Sequence, residues 1–214
     1  LVDQAVIIGQ GAGAGALTAA ADGITAVGFQ AANAITDGQF NTAIGFNALV
    51  SMVSGDCNTA VGYKALEDNN EDALNHNTAV GYQAALNLSS AIKTVAIGSD
   101  AIGAGVTTGD KNTAVGQGAG YSLTSGDSNT LLGQDAGVAL TTGADNVMIG
   151  TNAGDNDDAT SNTVLIGKNA GGSINHTDAN GTVAVGGQAC SMLTNADFNT
   201  AVGFQALYAL TEGG

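Results

Sequence analysis

The chain has 214 residues, 33 of them glycine, with no proline and no tryptophan. Four lysines, no arginine and 19 acidic residues leave a formal charge of −15. Phosphate backbones and anionic lipid repel such a surface, which excludes nucleic-acid and membrane-surface binding and leaves divalent cations or basic partners. No apolar run reaches the length of a membrane-spanning helix.

A phrase whose cleanest copy is Asn58-Thr59-Ala60-Val61-Gly62-Tyr63-Lys64-Ala65-Leu66 recurs twelve times. Its glycines, from Gly9 and Gly28 to Gly186 and Gly203, stand 17, 18 or 19 residues apart. Three places after each glycine stands an alanine, Ala12 through Ala206, and before each stands a β-branched residue or leucine. A fixed period of this length is the signature of a solenoid in which one repeat makes one coil. The expected fold is all-β: a parallel β-solenoid of about twelve coils, one repeat domain over 1–214 and a piece of a longer polypeptide. At ~4.8 Å per coil such a stack would be roughly 58 Å long.

Within the phrase, Thr-Ala-Val forms a short extended run, and glycine supplies a sharp turn that a Cβ would obstruct. Side chains alternate along a strand. The places one and three before glycine, aliphatic or threonine, are assigned to the coil interior. The place two before glycine then faces outward: Ile7, Ala26, Ala43, Ala60, Ala79, Ala96, Ala114, Leu131, Met148, Leu165, Ala184 and Ala201. Every one is apolar, which predicts a stripe covered by another copy of the chain, a trimer being favoured.

In chain order, the first copy runs into the low-complexity stretch Gly11-Ala12-Gly13-Ala14-Gly15-Ala16, suited to a narrow coil. Copies two to five place Phe29, Phe46, Tyr63 and Tyr82 directly after glycine, and the feature returns at Phe204. Stacked one coil apart they form a ladder, either packing at a corner or exposed as a glycan-binding ladder. The second half of each coil reads as a short inward-facing strand, as in Ala48, Val50 and Met52, in Ala119, Tyr121 and Leu123, and in Ala136, Val138 and Leu140. Polar turns such as Ser54-Gly55-Asp56 and Ser125-Gly126-Asp127 close the coil. An asparagine follows them, at Asn41, Asn58, Asn77, Asn112, Asn129, Asn146 and Asn199, predicting a structural amide ladder. The copies Lys93-Thr94-Val95-Ala96-Ile97-Gly98 and Asn162-Thr163-Val164-Leu165-Ile166-Gly167 read as carrying one added residue, accommodated by a bulge or a longer strand.

Candidate chemistry is sparse. The acidic turns holding Glu67, Asp68 and Asp72 and holding Asp155, Asp157 and Asp158 are oxygen-rich enough to consider calcium, the sole cofactor considered. They match neither the EF-hand pattern nor a calcium-binding nonapeptide, and solvated loops are the simpler reading. His76 and His176 sit in turns, with no Cys/His cluster for zinc. Cys57 and Cys190 lie several coils apart and are expected to stay unpaired. No nucleophile elbow or phosphate loop is present, and the chain does not read as an enzyme. The column of Thr42, Thr59 and Thr78 shares its face with the aliphatic residues, which argues against an ice-binding threonine array.

The stretch Val61-Gly62-Tyr63-Lys64-Ala65-Leu66 resembles the hexapeptide of left-handed β-helix acyltransferases. That family needs nearly every hexad to comply, whereas here one hexad per coil does, with an occasional second such as Val138-Ala139-Leu140-Thr141-Thr142-Gly143. The strands Thr94-Val95-Ala96-Ile97-Gly98 and Thr182-Val183-Ala184-Val185-Gly186 resemble the β-roll head repeats of trimeric autotransporter adhesins and related phage and viral tail-fibre repeats. That resemblance spans the chain. It implies left-handed parallel coils, a homotrimer bundled along its length, and a place outside the cell, on a cell surface or virion. The function expected is a structural or adhesive fibre module, with a possible receptor or glycan partner; a self-assembling extracellular filament is the alternative.

Overall fold

Each copy of the phrase becomes one three-residue strand. A computed structural model describes residues 4–15, 17–18, 21–67, 76–156, 158–174, 180–193 and 197–209. Among them are twelve strands and no helix: β1 Val6–Ile8, β2 Thr25–Val27, β3 Thr42–Ile44, β4 Thr59–Val61, β5 Thr78–Val80, β6 Val95–Ile97, β7 Thr113–Val115, β8 Thr130–Leu132, β9 Val147–Ile149, β10 Val164–Ile166, β11 Val183–Val185 and β12 Thr200–Val202. The chain divides into two compact units, Leu1–Thr108 and Gly109–Gly214. In the first, β1 to β6 pair in chain order, all parallel, with Ala26, Ala43, Ala60, Ala79 and Ala96 aligned as partners. In the second, β7 to β12 do the same. The fold is a parallel β-solenoid.

The second half of the coil is not a strand. After the glycine the backbone enters the left-handed region at alternate residues, for example Asn47 (φ 55°) and Leu49 (φ 56°), then Lys64 (φ 56°) and Leu66 (φ 52°). That alternation curls the chain where a strand would extend it. Coil-to-coil hydrogen bonding continues all the same. The N–H of Ala32 donates to the Ala48 carbonyl (2.9 Å), and that of Leu49 to the Ala65 carbonyl (3.0 Å). Of the inward residues expected there, Ala48 and Met52, Ala119 and Leu123, and Ala136 and Leu140 are buried. Val50 and Val138 are only half-buried, and Tyr121 is exposed.

The inside and outside of the strand are the reverse of the sequence expectation. Ala26, Ala43, Ala60, Ala79, Ala96, Ala114, Leu131, Met148, Leu165 and Ala184 have no exposed surface, and Ala201 has 2%. They fill the coil interior within a single chain and form no outward stripe. In the inner coils the inward places are two before glycine, then three, four and seven after it; at the ends, Ile7 and Leu207 are about 40% exposed. The third coil supplies Ala43, Ala48, Leu49 and Met52, all fully buried.

The interior is narrow, so bulk is traded between two of these places. Where the residue two before glycine is Ala43, Ala60 or Ala96, the place six residues later is Leu49, Leu66 or Ile102. Where it is Ile7, Leu131, Met148 or Leu165, that place is Gly13, Gly137, Gly154 or Gly171. A Cβ on Gly171 would fall 2.8 and 2.9 Å from the two methyl carbons of Leu165. Packed interiors tolerate neither excess nor deficit of volume.

No residue is inserted at β6 or β10. Val95 pairs with Thr78 and Val164 with Val147 in the common register. Thr94 and Thr163 stand where other coils have asparagine, so no bulge is needed.

The volume exchange is testable by urea unfolding. Leu165→Ala is expected to cost about 2–5 kcal/mol, and Gly171→Leu about 1–3 kcal/mol through overpacking. Combined, the two should cost at least ~1 kcal/mol less than their sum, the coupling typical of residues in contact. Strict additivity would mean that the side chains do not share one space.

Candidate functional site

What the solenoid presents to solvent follows from that reversal. The outward places of each strand are one and three before glycine. In the first unit they are Val6, Thr25, Thr42, Thr59, Thr78 and Val95 beside Ile8, Val27, Ile44, Val61, Val80 and Ile97. In the second they are Thr113, Thr130, Val147, Val164, Val183 and Thr200 beside Val115, Leu132, Ile149, Ile166, Val185 and Val202. No charged residue occurs in either set. Most are half-buried against their neighbours in the column; Ile44, Ile97 and Leu132 reach 38–44% exposure, and Val6, Ile8 and Val202 in the terminal coils 48–70%. The threonines are thus outside, contrary to expectation. In the first unit Thr25, Thr42, Thr59 and Thr78 align in unbroken register between Val6 and Val95; in the second, valine separates Thr130 from Thr200. An aliphatic column, not a second hydroxyl column, runs beside both.

Charge collects at the turns, where it also serves the fold. Asp56 accepts the N–H of Gln39 (2.7 Å) and Asp127 that of Asp110 (2.7 Å) through one carboxylate oxygen each. Just beyond, the expected asparagine ladder forms at six of its seven places and is buried there; Asn199 is part-buried and donates instead to the nearby Asp197 carbonyl (3.3 Å). In the first unit the side-chain oxygens of Asn41, Asn58 and Asn77 accept the backbone N–H of Asn58 (2.9 Å), Asn77 (3.0 Å) and Thr94 (2.8 Å). In the second, those of Asn112, Asn129 and Asn146 accept the N–H of Asn129 (2.9 Å), Asn146 (3.1 Å) and Thr163 (2.9 Å). The amide nitrogens of Asn41, Asn77, Asn112, Asn129 and Asn146 also donate to turn carbonyls, as from Asn41 to Gly55 (2.7 Å) and from Asn129 to Gly143 (2.9 Å), and that of Asn58 donates to the Asn41 side-chain oxygen (3.2 Å). This is a structural element with both ends of each amide in use, and no surface of it faces a ligand.

The aromatic ladder is on the outside. Phe29 and Phe46 stack with centroids 4.9 Å apart, Phe46 and Tyr63 at 5.4 Å, and Tyr63 and Tyr82 at 5.2 Å, with planes within 17° of parallel. The four rings are 38–51% exposed. Their faces lie against one another, so mainly edges meet solvent. A sugar stacks on a ring face, and this column presents few free ones.

Among the described residues the acidic turns supply only Glu67, Asp155 and Asp158. Glu67 is nearly buried, with one oxygen paired to Lys64 Nζ (2.8 Å) and the other accepting from Asn47 (3.0 Å). Asp158 is exposed, and its backbone carbonyl accepts the N–H of Thr141 (2.8 Å). Asp155 is part-buried, with Oδ2 facing the Asn152 amide (3.4 Å) and Oδ1 unpartnered. Asp68, Asp72, Asp157 and His176 lie outside the described residues. Among those described, no three acidic, histidine or cysteine residues gather as a metal site would require. His76 takes a left-handed turn position (φ 64°). Both cysteines are free, Cys57 exposed and Cys190 buried, and burial pushes the Cys190 thiol above its usual pKa.

No family model, no curated protein and no solved structure matches the chain. The repeat and its geometry carry the functional reading unaided.

Two measurements check this description. Asn129→Ala strips a partner from the buried Asn146 N–H and the Gly143 carbonyl and should cost about 2–4 kcal/mol on unfolding, whereas Asn156→Ala at an exposed amide should cost under ~1 kcal/mol. A disulfide-exchange reagent should titrate one thiol rapidly in the native protein and two in denaturant, because only the thiolate attacks and Cys190 is both buried and held protonated. Two fast native thiols would contradict the buried position.

Proposed function

We propose that the chain is a structural and adhesive fibre module, of a phage tail fibre or a cell-surface adhesin, in which copies associate side by side. The reading is supported by one observation above the rest: the outward strand face carries no charge, on a chain whose formal charge is −15. A second copy brings the same excess of carboxylates. Two copies therefore repel each other over their turns and can approach at the threonine and aliphatic columns without that cost. Val and Ile there have few rotamers to lose, so burying them costs little side-chain entropy. The interface expected from the sequence, the alanine column, is thus replaced by its two flanking columns. The resemblance to adhesin-head and tail-fibre repeats favours three copies. The mechanism is mechanical: hydrogen bonds between successive coils resist bending, and the polar turns keep the outside wet.

Sedimentation and electron microscopy test this. Discrete trimers are expected. Val61→Glu should separate them into folded monomers with an unchanged circular-dichroism spectrum, whereas Ala60→Glu, one residue away but facing the interior, should prevent folding. A wild-type chain that stays monomeric at every concentration would end the side-by-side reading, and long filaments would point to end-to-end assembly instead.

A further inference from the structure

The column directly after the glycines behaves differently in the two units. In the first it is the closed stack of Phe29, Phe46, Tyr63 and Tyr82. In the second it ends Lys168, Gly187, Phe204. Gly187 contributes no side chain to the column. Gly187 lies between Lys168 and Phe204 in the column, and the Phe204 ring leans toward it, its nearest carbon 3.4 Å from where a Cβ would stand. The result is an open cleft of about 290 Å³ lined by Lys168, Asn169, Gly187, Gln188 and Phe204. That is near the lower size of small-molecule sites, roughly 300 Å³.

The lining is equipped for one kind of ligand. Phe204 is 75% exposed, and no aromatic side chain is stacked on it among the described residues. Lys168 is one of only four cations in the chain, and it has no ion-pair partner among the described residues. Gln188 accepts from the Gln205 amide (2.9 Å) through its oxygen, which leaves its NH2 to donate. The Asn169 side chain makes no hydrogen bond among the described residues.

We propose that this notch binds a carboxylated pyranose, an acidic saccharide residue. The sugar ring takes the open cleft that Gly187 leaves beside Phe204. Its C–H face, positively polarised, lies on the electron-rich face of Phe204. Its carboxylate meets the Lys168 ammonium in a charge-assisted contact, and its hydroxyls meet the amides of Asn169 and Gln188. The surrounding excess of negative charge opposes anions in general, so selectivity for the acidic sugar rests on Lys168 and falls with added salt. The site lies within one chain and does not depend on how copies assemble.

Glucuronate and glucose, titrated into the whole chain and followed by saturation-transfer NMR, provide the test. Glucuronate should bind with millimolar affinity and glucose at least about tenfold more weakly. Lys168→Gln should bring glucuronate down to the level of glucose. Gly187→Phe should abolish binding of both by filling the notch. Gly187 is outside the left-handed region, and the nearest atom to a Cβ there is a ring carbon at 3.4 Å, so that variant should keep its circular-dichroism spectrum. Phe204→Ala supplies a second route to the same loss. The proposal is overturned if glucuronate shows no saturable binding or does no better than glucose. It is equally overturned if glucuronate survives Gly187→Phe, or if benzoate binds as tightly, which would assign the notch to aromatic acids.

Discussion

The whole architecture depends on backbone meeting backbone at the glycine after each strand. At Gly9, Gly28, Gly45, Gly62 and Gly81 in the first unit, and at Gly116 through Gly186 in the second, a Cβ would fall inside contact distance of the next coil's glycine carbonyl group. The same residues hold φ between 131° and 141°, which a side chain disfavours by itself. Two independent penalties therefore fall on one position. Because that position is fixed, the strand before it and the alanine three places after it are fixed too, and each coil repeats the one below in register. Variation in repeat length, 17 to 19 residues, is left to the turn side.

Buried polarity holds the other corner. A coil that closes through a turn leaves backbone N–H and C=O groups inside, and these must find partners. Asparagine suits the place because one amide both accepts and donates. Threonine at 163 keeps half of this, its hydroxyl donating to Asn146 (2.8 Å). At 94 the hydroxyl is buried without a partner, so the ladder of the first unit ends there less well satisfied than that of the second.

Much of this was legible in the sequence. Period, strand, glycine and asparagine could be read because each rests on a backbone demand that only one or two residue types meet. The direction of the strand's side chains could not be read from alternation, since alanine on one face and valine or threonine on the other are all compatible with burial. A subtler signal was present: each of Ile7, Leu131, Met148 and Leu165 is followed six residues later by glycine, a volume exchange that makes sense only if both places face one interior. The missing second strand was hidden for another reason. Asn47 and Asp100 are residues that accept left-handed backbone, but Leu49 and Ile102 occupy the same region against their own preference. The cleft at Gly187 was visible as a break in the aromatic column. Without a known outward direction, it carried no meaning.

Those left-handed residues have a consequence for how the protein comes into being. Each costs roughly 1–2 kcal/mol in a lone segment, and the contacts that offset this come from the coils on either side. A single coil emerging during synthesis has no such neighbours, so no coil is stable by itself and order has to wait until several are available together. Nucleation is thus the slow event and elongation the fast one, each finished coil acting as the template for its successor.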